Sequence, residues 1–197
     1  MHKGEFNLMK KNIKNNSNLL KKNESNIYEF LNIIHDLSVT PIVQEMKNYN
    51  QHANTTCYKH CMQVAFYTYS ICKKLNLDYV SATRGAMLHD LFLYDWHTHQ
   101  KPNNKFSSFH AFAHPKIALK NALANFNLND IEKDVILNHM WPVTISFPNY
   151  YETIIVTFAD KYSALKETYL YFINRLHSNK TYRFAYIYLS LILFRII

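Results

Sequence analysis

Two glycines and five prolines are the only strong helix breakers in this 197-residue chain. A β-rich fold of this length needs a turn about every ten residues and usually builds its turns from glycine and proline. The scarcity of both residues therefore favours long helices. Apolar residues make up 48% of the sequence and charged residues 18%, which is enough to build a buried core. We predict an all-α helical bundle.

Composition divides the chain into three segments. Residues 1–23 are rich in lysine and asparagine, which predicts a flexible basic arm. Residues 24–180 form the predicted helical domain. Residues 181–197 are mostly apolar and predict a terminal helix or tail. Because this stretch is shorter than the roughly 20 residues of a membrane span and contains Arg195, we expect it to pack on the core or on a second copy of the chain, with a membrane tail as the less favoured alternative.

Periodic apolar residues and the positions of the breakers place the helices. The predicted ranges are about 24–36, 52–75, 80–93, 115–126, 131–140 and 149–176. Asp78 is the expected N-cap of the third of these helices. Pro115 is expected in the first turn of the fourth, where its missing N–H is not needed.

The net charge of +8 indicates what kind of partner the chain prefers. Six lysines and no arginine fall within the first 22 residues, so we expect no nucleic-acid binding. The remaining basic excess suits a small anionic substrate. The N-terminal region lacks the apolar run of a signal peptide, and the three cysteines are expected to be reduced thiols. Both features predict a cytoplasmic protein.

The stretch AMLHDLFLYDW, residues 86–96, places His89 and Asp90 inside an apolar run. A buried carboxylate is unfavourable unless it is paired or bound to a metal. Four more ionisable residues share such a setting, namely His60, His114, His139 and Asp160. A single inward histidine is more often a hydrogen-bonded core residue than a ligand. Six such residues together, all of metal-ligand type, predict a metal centre in the bundle core.

Their order along the chain is a histidine, the His-Asp doublet, two further histidines and a late aspartate. This order resembles the HD-domain superfamily of metal-dependent phosphohydrolases over about residues 52–170. The strings RGAMLHDLFLYDWH, HPKIAL and NHMWP are similar to a bacterial branch of that superfamily. The resemblance implies an HD-domain-like helical bundle with one or two divalent ions, for which Mn, Fe, Ni, Co, Zn and Mg all remain open.

The resemblance also implies how the ligands are divided. One ion would be held by His60, His89, Asp90 and Asp160. A second ion would share Asp90 and be held by His114 and His139. His110 is an alternative to His114. Leu93 and Met140 stand where some branches carry a lysine or glutamate and a second histidine, so the second ion and the specific substrate stay open.

We therefore predict metal-assisted hydrolysis of a phosphate ester or anhydride, in a nucleotide or related small molecule. Three residues have predicted catalytic roles. Asp90 is the ligand that the two ions share. His110 donates a proton to the leaving group. Lys161 either holds the phosphate or neutralises an acidic neighbour. The alternatives are a di-iron oxygenase of the same fold, a non-catalytic nucleotide-binding sensor, and a structural helical domain without metal. A homo-oligomer is also possible.

Overall fold

The computed structural model of the protein describes residues 23–52, 54–95 and 110–178. The helices are α1 (23–38), α2 (Pro41–Glu45), α3 (Cys57–Leu75), α4 (Tyr79–Leu88), α5 (His110–Asn125), α6 (Asp130–Asn138) and α7 (Tyr151–Ser178). A 3-10 turn (Met46–Asn48) precedes an antiparallel pair of short strands, β1 (Asn50–His52) and β2 (Thr55–Thr56). The predicted all-α class is confirmed. The predicted tail and nearly all of the predicted arm lie outside the described residues.

Helix α3 lies at the centre of the bundle and packs on both α4 and α7. Its buried residues recur every three or four positions, from Cys57 through Cys61, Val64 and Thr68 to Cys72. This spacing places them on one face of the helix, which is buried against the neighbouring helices. Among the described helices, none has the length and apolar character that a membrane span requires.

Helices α4 and α6 approach each other closely at Gly85. A Cβ atom at Gly85 would lie 2.9 Å from the Cβ of Val135, so only glycine fits there without movement of the neighbouring helix. Each of these two helices ends at a predicted ligand: His89 is the C-cap of α4, and His139 is the C-cap of α6. Close packing of these two helices thus helps to bring two of the predicted ligands together.

Three predicted helix boundaries are wrong. The helix expected over 52–75 begins only at Cys57, because the preceding residues form the β1–β2 hairpin. The helix expected over 80–93 ends at Leu88, and Leu93 has a left-handed φ of 50°, which an α-helix does not accept. Helix α5 begins at His110, so Pro115 lies inside the helix rather than in its first turn.

Candidate metal centre

The six predicted ligands meet where α3, α4, α5, α6 and α7 converge. They are His60 on α3, His89 and Asp90 at the end of α4, His114 on α5, His139 at the end of α6 and Asp160 on α7. Each is at most 8% exposed. We call His60, His89 and Asp160 the carboxylate-rich half, and His114 and His139 the imidazole half. Asp90 has ligand atoms within 4.8 Å of histidines in both halves.

The two C-cap histidines are oriented by the helices that they end. The Nδ1–H of His89 donates to the carbonyl of Ala86 at 2.7 Å, and the Nδ1–H of His139 donates to the carbonyl of Ile136 at 3.0 Å. The last carbonyls of a helix lack intrahelical donors, and each ring supplies one. Both rings therefore direct Nε2 towards the centre, and a fixed ring orientation of this kind favours metal binding.

In the carboxylate-rich half, His60 lies between two carboxylates. Its Nε2 is 3.0 Å from Asp160 Oδ1, and its Nδ1 is 3.1 Å from Glu167 Oε1. Burial alone would lower the pKa of His60, but the two carboxylates outweigh burial and raise the pKa to about 10. Without metal, the ring is therefore a protonated imidazolium at neutral pH.

Glu167 is a functional candidate that was not among the predicted site residues. It is 6% exposed, and it follows Asp160 by seven residues on α7, which places both on one face of that helix. Its carboxylate fixes the orientation of the His60 ring from the Nδ1 side. The spacing from Asp160 was the signal from which the residue could have been found.

Asp90 contacts both halves through different oxygens. Oδ2 is 3.2 Å from His89 Nε2 and accepts a hydrogen bond of 2.5 Å from the Gln51 amide on β1. Oδ1 is 3.2 Å from His114 Nε2 and 3.7 Å from His139 Nε2. Burial would raise the pKa of Asp90, but His89 and His114 outweigh it and hold the pKa well below its usual range. Asp90 is therefore an ionised carboxylate. No local pattern in the sequence indicated this role for Gln51.

In the imidazole half, the two rings face each other. His114 Nε2 and His139 Nε2 are 2.9 Å apart. Burial, together with the charges of His89 and His114, lowers the pKa of His139 to about 3. The single proton of the neutral His139 ring is on Nδ1. His139 Nε2 therefore carries a lone pair, which accepts a hydrogen bond from the Nε2–H of His114.

The donor atoms fit a divalent metal ion. His89 Nε2 and Asp90 Oδ1 are buried, and although each lies 3.2 Å from a potential ion-pair partner, neither forms a hydrogen bond of acceptable geometry in the described part of the chain. An unsatisfied buried polar atom costs about 1–3 kcal/mol, so both atoms favour a ligand. Imidazole nitrogens and carboxylate oxygens are the donors that Mn, Fe, Co, Ni and Zn accept.

Two buried thiols, Cys57 and Cys61, border Asp90 on the α3 side, and their sulfur atoms are close enough to be additional ligands. Burial raises the pKa of both thiols above the usual range, so they are protonated near neutral pH. The thiol of Cys57 also donates to the Asp90 carbonyl at 3.1 Å. The Cys57 thiol is thus engaged with the protein backbone, and we assign both residues to packing.

A cavity of about 250 Å³ opens beside the centre. Its lining includes Gln51, Asp90, Ala111, His114, His139, Met140, Val143, Asp160, Lys161 and Ala164. Lys161 is half-buried, its Nζ donates to the carbonyl of His139 at 3.3 Å, and burial lowers its pKa. His110 begins α5 next to Ala111, and the His110 side chain lies outside the described part of the structure.

Comparison with protein families matches residues 57–165 to the family described as HD domain. The match covers more than half of the chain and includes all six predicted ligands. The resemblance inferred from the sequence is therefore confirmed at the level of the superfamily. No curated protein and no solved structure matches the chain.

Proposed function

The chain belongs to the HD-domain family, and from this premise we propose that it is a metal-dependent phosphohydrolase. The proposed substrate is a phosphate ester or anhydride of a small molecule, such as a nucleotide or a related compound. The observation that carries the proposal is the position of Asp90, whose two oxygens contact two separate groups of histidines. Such a cluster is unfavourable in a purely structural core, because each buried ionisable group costs free energy unless a partner compensates it.

The proposed ligands divide as the family resemblance implies. His60, His89, Asp90 and Asp160 would hold one ion, and Asp90, His114 and His139 would hold a second. When bound, a divalent cation supplies Lewis acidity, which makes water nucleophilic near neutral pH and offsets the negative charge of a phosphoryl group. The protein supplies fixed ring orientations through the Ala86 and Ile136 carbonyls and through Glu167.

The cavity beside the centre suits the phosphoryl end of a substrate. Its volume of about 250 Å³ is smaller than the roughly 300–1,000 Å³ of a site that encloses a drug-sized ligand. Lys161 lines it and is the proposed partner of the phosphate oxygens, which an ammonium group binds as a point charge. Met140, Val143 and Ala164 add apolar walls that exclude water.

His110 remains the proposed proton donor to the leaving group. Its backbone lies at the first residue of α5, beside a residue that lines the cavity. A histidine is suited to this step because its ordinary pKa lies near neutral pH. The expected effect of His110→Ala is a lower turnover rate without a change in metal content, measured by phosphate release and metal analysis.

The proposal is tested by measuring the metal content of the purified wild-type protein and of the Asp90→Ala variant. We expect about one to two divalent ions per chain in the wild type, and a large loss in the variant because Asp90 serves both ion sites. Asp130→Ala is the matched control, since the Asp130 side chain is 81% exposed and remote from the ligands, and should keep its metal. Negligible metal in both wild type and variant would contradict the proposal.

Activity screening completes the experiment. Inorganic phosphate release is measured with p-nitrophenyl phosphate and with nucleotides in the presence of Mn, Fe, Ni, Co, Zn or Mg. Oxygen consumption without phosphate release would replace the proposal with the di-iron oxygenase. Tight nucleotide binding without turnover, whichever metal is added, would replace it with the sensor.

A further inference from the structure

A second and larger cavity, of about 590 Å³, lies in a groove between the start of α3 and the second half of α7. Lys59 and Gln63 line it from α3, and Lys166, Glu167 and Arg175 line it from α7. Among the described residues, no proposed metal ligand lines this groove. Glu167 borders it and contacts the Nδ1 side of His60, whereas Asp160 contacts Nε2 of the same ring. The groove is therefore separate from the cavity at the metal centre.

The described lining of the groove carries more positive than negative charge. Lys59, Lys166 and Arg175 are three cations, and Glu167 is the single described carboxylate among the lining residues. Both oxygens of Glu167 already contact His60, at 3.1 and 3.3 Å. Lys166 donates one proton to the Tyr67 hydroxyl at 2.8 Å and has two more to donate. Arg175 has another contact, but its guanidinium carries five N–H donors and keeps donors for a ligand. Together with Lys59 and Lys166 it gives the groove a positive charge that favours an anion.

The backbone adds to this preference for an anion. Asn54 and Thr55, which precede the N-cap Thr56 of α3, also line the groove, so it lies near the N-terminal end of a 19-residue helix. The N-terminus of a helix carries a partial positive charge and favours negatively charged ligands. The three side-chain cations and the helix end thus favour the same sign of ligand.

The shape and the remaining lining narrow the class of ligand. A volume of about 590 Å³ falls within the roughly 300–1,000 Å³ range of small-molecule sites. Leu170 and Tyr171 supply an apolar and aromatic wall, while Asn174 adds an amide. We propose that this groove is a second anion site that binds a small molecule carrying two or more linked phosphate groups. This binding does not depend on the proposed hydrolysis.

The test measures binding of methylenediphosphonate, a diphosphate analogue that cannot be hydrolysed, by isothermal titration calorimetry on the full chain. The groove variant combines Lys59→Gln, Lys166→Gln and Arg175→Gln. The control variant removes the same amount of charge elsewhere, through Lys116→Gln, Lys120→Gln and Lys133→Gln. We expect the groove variant to bind about tenfold more weakly or worse, because it loses three charge-assisted contacts, and the control to bind like the wild type. Equal loss in both variants, or no binding by the wild type, would overturn the proposal.

A further arm separates the groove from the metal centre. The same titration is repeated with Asp90→Ala and with Lys161→Gln, which alter only the metal-centre cavity. Binding that survives in both supports the groove as the site, and binding that disappears in both assigns the probe to the metal centre and overturns the proposal. Because metal content is measured independently, failure here leaves the proposed hydrolase function to be decided by its own experiment.

Discussion

The carboxylate-rich half and the imidazole half of the centre differ in what surrounds each histidine. His60 and His139 are both almost completely buried. His60 contacts the carboxylates of Asp160 and Glu167, and its pKa rises to about 10. His139 lies against His114 and His89, and its pKa falls to about 3. Burial is the same in both cases, so the charge of the neighbours decides whether the ring keeps a proton.

This difference has a consequence for metal binding. A metal ion binds the neutral form of a histidine, so His60 must lose a proton before it can act as a ligand. The neutral His139 ring needs no such loss, because its Nε2 lone pair has only to exchange the hydrogen bond from His114 for the metal. The carboxylates that hold the proton on His60 also attract a cation, however, whereas among the described residues the carboxylate in contact with the imidazole half is the shared Asp90. We therefore expect the carboxylate-rich half to bind metal more tightly and with a stronger dependence on pH.

The largest expected effect separates the two halves directly. We expect His60→Gln to lower the affinity for Mn²⁺ by more than about 100-fold, since a direct ligand is lost, whereas outer partners account for roughly 10–100-fold. His114→Gln should remove the weaker site and leave the tighter one. Equilibrium dialysis gives both the affinity and the number of ions. An equal loss in the two variants would mean that the halves do not differ.

The next effect concerns the carboxylate behind His60. Glu167→Gln keeps the size of the side chain but removes the charge that orients the ring, so we expect metal affinity to fall about 10–100-fold. Glu152→Gln is the matched control, because Glu152 is also buried on α7 but accepts the backbone N–H of Asp78 instead. A similar loss of metal affinity in both variants would indicate a general disturbance of α7.

The smallest effect is on the stability of the metal-free protein, which we expect to depend on pH in opposite ways for the two halves. His60 has a raised pKa when folded, so its contribution is fully present below 6.5 and is lost as pH rises from 6.5 through about 10. His139 has a lowered pKa, so its contribution is present above 6.5 and is lost as pH falls from 6.5 towards about 3.

Urea denaturation after treatment with a chelator measures these contributions. His60→Gln should weaken the fall in the free energy of unfolding on the alkaline side, where His89 also contributes because its pKa is raised. His139→Gln should weaken the fall in the free energy of unfolding just below pH 6.5, before the carboxylates begin to titrate. Unchanged pH profiles in both variants would contradict the assigned protonation states.

Much of the fold and the whole candidate ligand set could be predicted from local sequence. The scarcity of glycine and proline indicated helices, because these residues are the ones that end them. The ligand candidates could be found because a charged or imidazole side chain in an apolar helical stretch has to be compensated in the core. Glu167 carried the same signal through its spacing from Asp160, although it was not among the predicted site residues.

Other features left no local trace. The β1–β2 hairpin positions the Gln51 amide to donate a hydrogen bond to Asp90, although the two residues are 39 positions apart in the sequence. Arg84 joins α4 to α1 and α6 through ion pairs with Asp36 and Glu132, which lie 48 positions away on either side. Such contacts depend on where helices cross, and periodicity within one helix does not contain that information.

The sequence by itself determined that this chain forms helices and which buried residues bear metal-ligand groups. Only the tertiary structure decided that His60 contacts Asp160 and Glu167, at 100 and 107 positions along the chain, while His139 contacts His114. The tertiary structure also placed Asp90 between the carboxylate-rich half and the imidazole half. The physical reason is that residue type and spacing fix the inward face of a helix, whereas the packing of several helices fixes which neighbour each inward group meets, and that neighbour sets its charge.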